Sequence, residues 1–223
     1  MHTKDGTKLA ASLFVGGEPS APAIVLVHRL AGTRAEWDPL VQRLFPVHAP
    51  MNVLAIDLRG HGGSTQKASD AKKTVWQSFK PDDFKKMAGD VEAAIDFLNK
   101  RKGGPPSSIV LVGSDLGATA LVNAVSDAKL RPAGVCLVSP GAALRGVDLY
   151  RPFGAVLSLP NFIVAGTGDT VSHEPAVSLH AMSKGTEVLD LDSRAHGAEF
   201  LGAEKPAMWD AIADWVDRRV APR

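Results

Sequence analysis

The sequence predicts an α/β fold: an open, doubly wound and mostly parallel sheet flanked by helices. Two observations lead there. Short apolar runs alternate with longer helix-patterned segments along the chain. The runs are continuously apolar, as strands covered on both faces must be, whereas half-exposed strands alternate. A βαβα order of such strands builds an open parallel sheet with helices on both sides. The 223 residues suit one domain over 1–223, because a chain of this length buries about 70% of its unfolded surface.

Lys8–Val15 is predicted as an antiparallel edge strand. The parallel strands are predicted at Ala23–Val27, Val53–Asp57, Ile109–Gly113, Gly134–Ser139, Phe162–Gly166 and Glu187–Leu191, each rich in Val, Ile and Leu and ending at Gly, Pro or a polar residue. Between them, Trp37, Leu40, Val41 and Leu44 fall on one helical face. Phe84, Met87, Ala88, Val91, Ile95 and Leu98 predict one longer helix. It stops near Lys100-Arg101-Lys102, whose charges suit a helix C-terminus, before Gly103-Gly104-Pro105-Pro106. An Ala-rich helix follows Gly113-Ser114-Asp115-Leu116-Gly117, and Trp209, Ile212, Ala213, Val216 and Val220 predict the last one.

Composition excludes several classes. A formal net charge of +1 gives no electrostatic case for nucleic acid or an anionic membrane. A single cysteine, Cys136, rules out an internal disulfide framework and a cysteine-built zinc site, and its apolar strand makes it inert. His2, His48, His173 and His180 lack paired metal-ligand spacing, so no metal and no cofactor is expected. No apolar run approaches the roughly 20 residues of a membrane span. Met1–Lys8 does not read as a signal peptide, so a soluble cytoplasmic protein is expected, as a monomer or homodimer with a small-molecule ligand. Gly60, Gly62 and Gly63 lack the Gly-Lys-Ser/Thr ending of a phosphate loop and follow the wrong strand for a dinucleotide fingerprint.

In open α/β sheets, sites form beyond the carboxyl ends of strands. Those ends carry His28-Arg29-Leu30-Ala31-Gly32, Asp57-Leu58-Arg59-Gly60-His61-Gly62-Gly63-Ser64, Gly113-Ser114-Asp115-Leu116-Gly117, Gly166-Thr167-Gly168-Asp169 and Arg194-Ala195-His196-Gly197. In this order they resemble the α/β-hydrolase fold, and the order of nucleophile, acid and histidine matches that superfamily. With no insertion of some tens of residues before the acid, the chain is similar to small lidless members, the dienelactone-hydrolase-like and bacterial esterases. The resemblance implies a triad of Asp115, Asp169 and His196, with backbone N–H groups of Leu30 and Leu116 as oxyanion donors.

The departure lies at the nucleophile, where these esterases carry Ser. A register centred on Ser114 puts Val112 and Leu116 at the crowded positions of the strand-to-helix turn. Centring on Asp115 puts Gly113 and Gly117 there, so geometry selects Asp115. An aspartate with an ordinary pKa of about 3.9 is ionised at neutral pH and needs no base. It suits displacement at a saturated carbon, as in the haloalkane dehalogenases and epoxide hydrolases of this fold. The side-chain donors those enzymes use for leaving groups have no counterpart here. Leu116 and Leu30 offer none, and Tyr150 is the single tyrosine.

Asp115 therefore has two readings, a covalent nucleophile and a helix-capping aspartate in a site without catalysis. A serine esterase whose Ser is replaced by Asp is a third. His28 and His61 are expected to shape loops. His28, Arg29 and Trp76 are also candidates for the pocket wall, and the stretch Thr65–Lys80 for a cover over it. A polar donor reaching the pocket supports turnover. An Arg29–Asp115 ion pair supports a binding protein.

Overall fold

The computed structural model describes residues 1–45, 50–67, 73–183 and 185–220. Seven strands form the main sheet: β1 (Ala11–Val15), β2 (Ala23–Val27), β3 (Asn52–Ile56), β4 (Ile109–Ser114), β5 (Gly134–Val138), β6 (Asn161–Gly166) and β7 (Thr186–Leu191). Their order is β7-β6-β5-β4-β2-β3-β1. Every pair is parallel except β1 with β3. This is the mostly parallel, doubly wound sheet that the sequence predicts, with no large cap domain among the described residues.

The apolar runs are continuous because helices cover both faces. Helices α2 (Ala88–Asn99), α3 (Leu116–Asp127) and α4 (His173–Met182) share a core with Val25, Val27, Leu111 and Ile163. Helices α1 (Asp38–Leu44), α5 (Ala198–Glu204) and α6 (Ala207–Val220) share the other with Ile24, Leu26, Val110 and Val164. Trp37, Trp209 and Trp215 are buried in that second layer, where they serve packing.

Two predicted elements are divided. The long helix begins only at Ala88. A short turn of helix, Pro81–Lys85, precedes it, and the link is tightened by i−3 bonds from Met87 N–H to Phe84 O, Gly89 N–H to Lys86 O and Asp90 N–H to Met87 O, each 3.0 Å. The expected edge strand is likewise split. Thr7–Lys8 pairs with Gln66–Lys67, and β1 starts at Ala11. Between them, the Ala10 carbonyl accepts from Asp57 N–H at 3.0 Å and Ala10 N–H donates to Ser64 Oγ at 2.9 Å. His48 lies outside the described residues, as does the middle of the 65–80 stretch, at 68–72.

Candidate active site

The elbow is centred where the glycines place it. Asp115 follows β4 at φ 50°, ψ −112°, a conformation that strains any residue with a Cβ, and α3 starts at Leu116. A Cβ on Gly113 would lie 2.7 Å from Ala118 N, and one on Gly117 would lie 2.6 Å from the His28 carbonyl oxygen. The turn can approach β2 and its own helix this closely only with glycine at both places. Asp115 N–H donates to Val138 O at 2.9 Å, which seats the turn against β5.

Three strand ends meet at the Asp115 carboxylate. Its Oδ2 accepts the Leu30 N–H at 3.0 Å, from the loop after β2. Its Oδ1 lies 3.1 Å from His196 Nε2, from the loop after β7. His196 Nδ1 is 2.8 Å from Asp169 Oδ2, from the loop after β6. Asp169 is in turn held by Val171 N–H, 3.0 Å from Oδ1, and by the Ser172 hydroxyl, which donates to Oδ2. Leu116, the other expected oxyanion donor, opens α3, where first-turn amides have no acceptor within the helix.

The charges around His196 oppose one another. Burial disfavours its cation, but the hydrogen bonds and charges of Asp115 and then Asp169 prevail and raise its pKa to about 9. His196 is thus a strong holder of its second proton, between Asp115 and Asp169, which are both buried.

Arg29 does not close on Asp115. Its Nη2 pairs with Glu199 Oε2 at 2.6 Å, its Nη1 donates to Leu30 O at 2.9 Å, and the guanidinium lies 4.5 Å from the centre of the Phe200 ring. It ties the loop after β2 to α5. His28 is fully buried. Its Nδ1 contacts Arg29 O at 2.6 Å and its Nε2 accepts from Leu58 N–H at 3.0 Å. That corrects its candidacy as a pocket wall. Burial lowers its pKa to about 4, despite the Arg29 carbonyl, so the ring is neutral and shapes the loop. Trp76 stacks on His61 with ring centres 5.6 Å apart, and Arg145 lies 5.7 Å over the indole. His61 sits between Trp76 and His28, 5.0 Å from the latter, so the indole packs against a second loop rather than on the triad.

Two residues escaped the sequence. Ser172 stands three positions after Asp169, a turn-like spacing that was a visible signal. Glu36 was not marked at all. It is buried and its Oε2 accepts Arg29 N–H at 2.9 Å. Among the described residues, no group of three or more His, Cys, Asp or Glu side chains could hold a metal ion, and no helix is long and apolar enough to cross a membrane.

Residues 24–222 match the alpha/beta hydrolase family. An uncharacterized protein of Salmonella typhi, YfhR, is 27% identical over 173 residues, 74% of this chain and 52% of the relative, so the chain spans about half the length of that protein. Among solved structures, the Burkholderia xenovorans enol-lactonase superposes with a TM-score of 0.73 at 17% identity, covering 95% of this chain and 97% of that one. The Exiguobacterium antarcticum esterase EaEST gives 0.74 at 13% identity, over 96% of this chain and 97% of its own. The Pyrococcus furiosus esterase Pf2001 gives 0.76 at 17%, over 99% and 91%. At these identities the likeness is one of fold.

Proposed function

Because this chain belongs to the alpha/beta hydrolase family, we propose that it hydrolyses a small organic substrate through Asp115, His196 and Asp169, as a single unit over 1–223. Asp115 is the covalent nucleophile in this reading. The observation that carries it is the division of labour between the two Asp115 oxygens: Oδ2 on an oxyanion-type amide, Oδ1 beside His196.

In the first step Oδ1 attacks a saturated carbon. The bond from that carbon to the leaving group breaks, the leaving group departs with the electron pair, and Asp115 becomes an alkyl ester. Its carbonyl oxygen is then Oδ2, already seated on the Leu30 amide. Esterification also removes the Asp115 charge, the first of the two that hold the proton on His196. His196 gives that proton to the departing group or to solvent and becomes a base just when one is needed. It takes a proton from water, and the hydroxide attacks the Asp115 carbonyl carbon. The oxyanion forms at Oδ2, stabilised by the Leu30 and Leu116 amides. Collapse expels the product alkoxide from Oδ1, next to the Nε2–H that protonates it, and the resulting Asp115 carboxylic acid gives its proton to the now neutral His196, which restores both carboxylate and imidazolium.

One observation favours a second reading, a binding protein or an esterase framework disabled by Asp. Among the described residues, a cavity of about 120 Å³ beside Arg59 and Phe79 is lined by residues outside the triad. The partners of Arg29 weigh the other way, since its charge is given to Glu199 and not to Asp115. Turnover of nitrophenyl esters, haloalkanes, fluoroacetate and simple epoxides by the native chain and by Asp115→Ser separates the readings. The proposal expects halide or epoxide turnover by the native chain alone. A silent native chain with ester hydrolysis gained in Asp115→Ser supports the disabled framework.

A further inference from the structure

Beneath the proposed oxyanion loop lies a carboxyl group the mechanism above does not use. Glu36 sits in the short 3₁₀ turn Arg34–Trp37, between the loop after β2 and α1, and is only 5% exposed. Its Oε2 accepts the Arg29 N–H at 2.9 Å. Arg29 N–H and Leu30 N–H are consecutive amides, so the first is held by Glu36 and the second by Asp115. The Ser114 hydroxyl, one residue before Asp115, faces the same carboxyl group. Ser114 Oγ also accepts from Ala198 N–H at 2.8 Å, at the start of the helix that follows His196. Glu36 thus stands where the loop after β2 meets the Asp115 turn and, through Ser114, the start of the helix that follows His196.

The loop it holds needs holding. Ala31 has φ 60°, a left-handed conformation that strains a residue with a Cβ. Its flanking bonds, Gly32 N–H to Arg29 O at 3.0 Å and His28 Nδ1 to Arg29 O at 2.6 Å, fasten the carbonyl side of Arg29. Glu36 fastens the amide side. A charged acceptor makes such a bond roughly twice as strong as a neutral one.

We propose that Glu36 is a positioning residue of the site: its carboxylate fixes the Arg29 amide and thereby aims the next one, Leu30 N–H, at Asp115. The oxyanion role of Leu30 rests on the proposed function; the mechanical link from Glu36 to Leu30 does not. Burial weakens Glu36 as an acid, against the Arg29 amide, Ser114 and the Arg29 guanidinium, and brings its pKa to about 7. The charged groups around it are the Arg29 guanidinium, Glu199 of α5, and Asp38 and Arg43 of α1, which line the same cleft. Arg34, two residues earlier, is spent on Asp57. The link is therefore strong when Glu36 is ionised and slackens as pH falls below about 7.

Amide spectra of nitrogen-15-labelled protein test this without any substrate. In the native chain, the Arg29 and Leu30 resonances should move together in a step near pH 7. Glu36→Gln keeps the shape and an acceptor oxygen, and should remove that step and leave both amides at their low-pH positions. His196→Gln should keep it, which separates Glu36 from the imidazole titrating near 9. A Leu30 resonance flat through neutral pH, or a step that survives in Glu36→Gln, overturns the proposal. In whichever chain turns over substrate, native or Asp115→Ser, Glu36→Gln should lower kcat about tenfold with KM little changed. If neither chain is active, the proposed function has failed and the spectra still decide the role of Glu36.

Discussion

Asp57 and Asp115 both stand at or just past the carboxyl end of a parallel strand, both are nearly buried, and both accept backbone amides, yet they are built for opposite ends. Asp57 gives Oδ1 to Arg34 N–H at 2.7 Å and Oδ2 to Gly63 N–H at 2.8 Å and to the Arg34 guanidinium. The same loop sends Arg59 into Asp90, with Nε and Nη2 at 2.8 and 2.7 Å from Oδ1, and into Asp5 at 2.6 Å. Every one of these partners is structural. Asp115 instead sits on a strained backbone, with its oxygens on one amide and one titratable ring. Charge in the first loop fixes the scaffold. Charge in the second is held where a reaction could use it.

That contrast can be broken at either end. The largest effect on folding belongs to the first loop. Asp90→Ala leaves the guanidinium of Arg59, 6% exposed, without its main partner, and should cost about 3 kcal/mol in urea unfolding. Next is the pH dependence of stability. The pKa of His196 is raised in the folded protein to about 9, above an unfolded value of about 6.5. Folding therefore binds a proton, and the stabilisation is full below about pH 6.5 and is lost as pH rises through about 9. The native chain should lose about 3 kcal/mol across that window. Asp115→Asn, keeping only Asp169 beside the ring, should lose roughly half as much; an unchanged slope would mean that Asp115 does not hold the proton. The smallest effect is at the rim. Glu199→Gln removes the partner of Arg29, but Glu199 is 52% exposed, so stability should change by less than about 1 kcal/mol.

Much of this was legible in the sequence for definite reasons. Burial on both faces writes itself as unbroken apolar runs, so the parallel strands of the sheet stand within a residue or so of where Val, Ile and Leu place them. Gly113 and Gly117 flank the one register whose crowding demands them, which made Asp115 readable as the centre of the turn. The divided elements were hidden because apolar spacing carries on through a tightened turn: Phe84 and Met87 keep the helical phase although Lys86 and Met87 leave the helix. Glu36 was hidden for a different reason. A glutamate just before Trp37 reads as a solvated first-turn acid, and only the fold of the loop after β2 across it shows that it is buried. His28 failed as a pocket residue in the same way, since the Leu58 amide that occupies its second nitrogen comes from another strand end.

Covalent catalysis by Asp115 requires a bond between its carboxylate and a substrate carbon, and one mass measurement looks for it. His196→Gln should still form the alkyl ester, because the first step needs no base, but should fail to hydrolyse it. Incubated with the haloalkanes and epoxides of the panel, this variant should gain the mass of the alkyl or hydroxyalkyl group, on the peptide containing Asp115. Addition of Asp115→Asn to the same variant should abolish that gain. No mass gain with any compound, together with ester hydrolysis by Asp115→Ser, would contradict the account and leave Asp115 as the residue that silences an esterase framework.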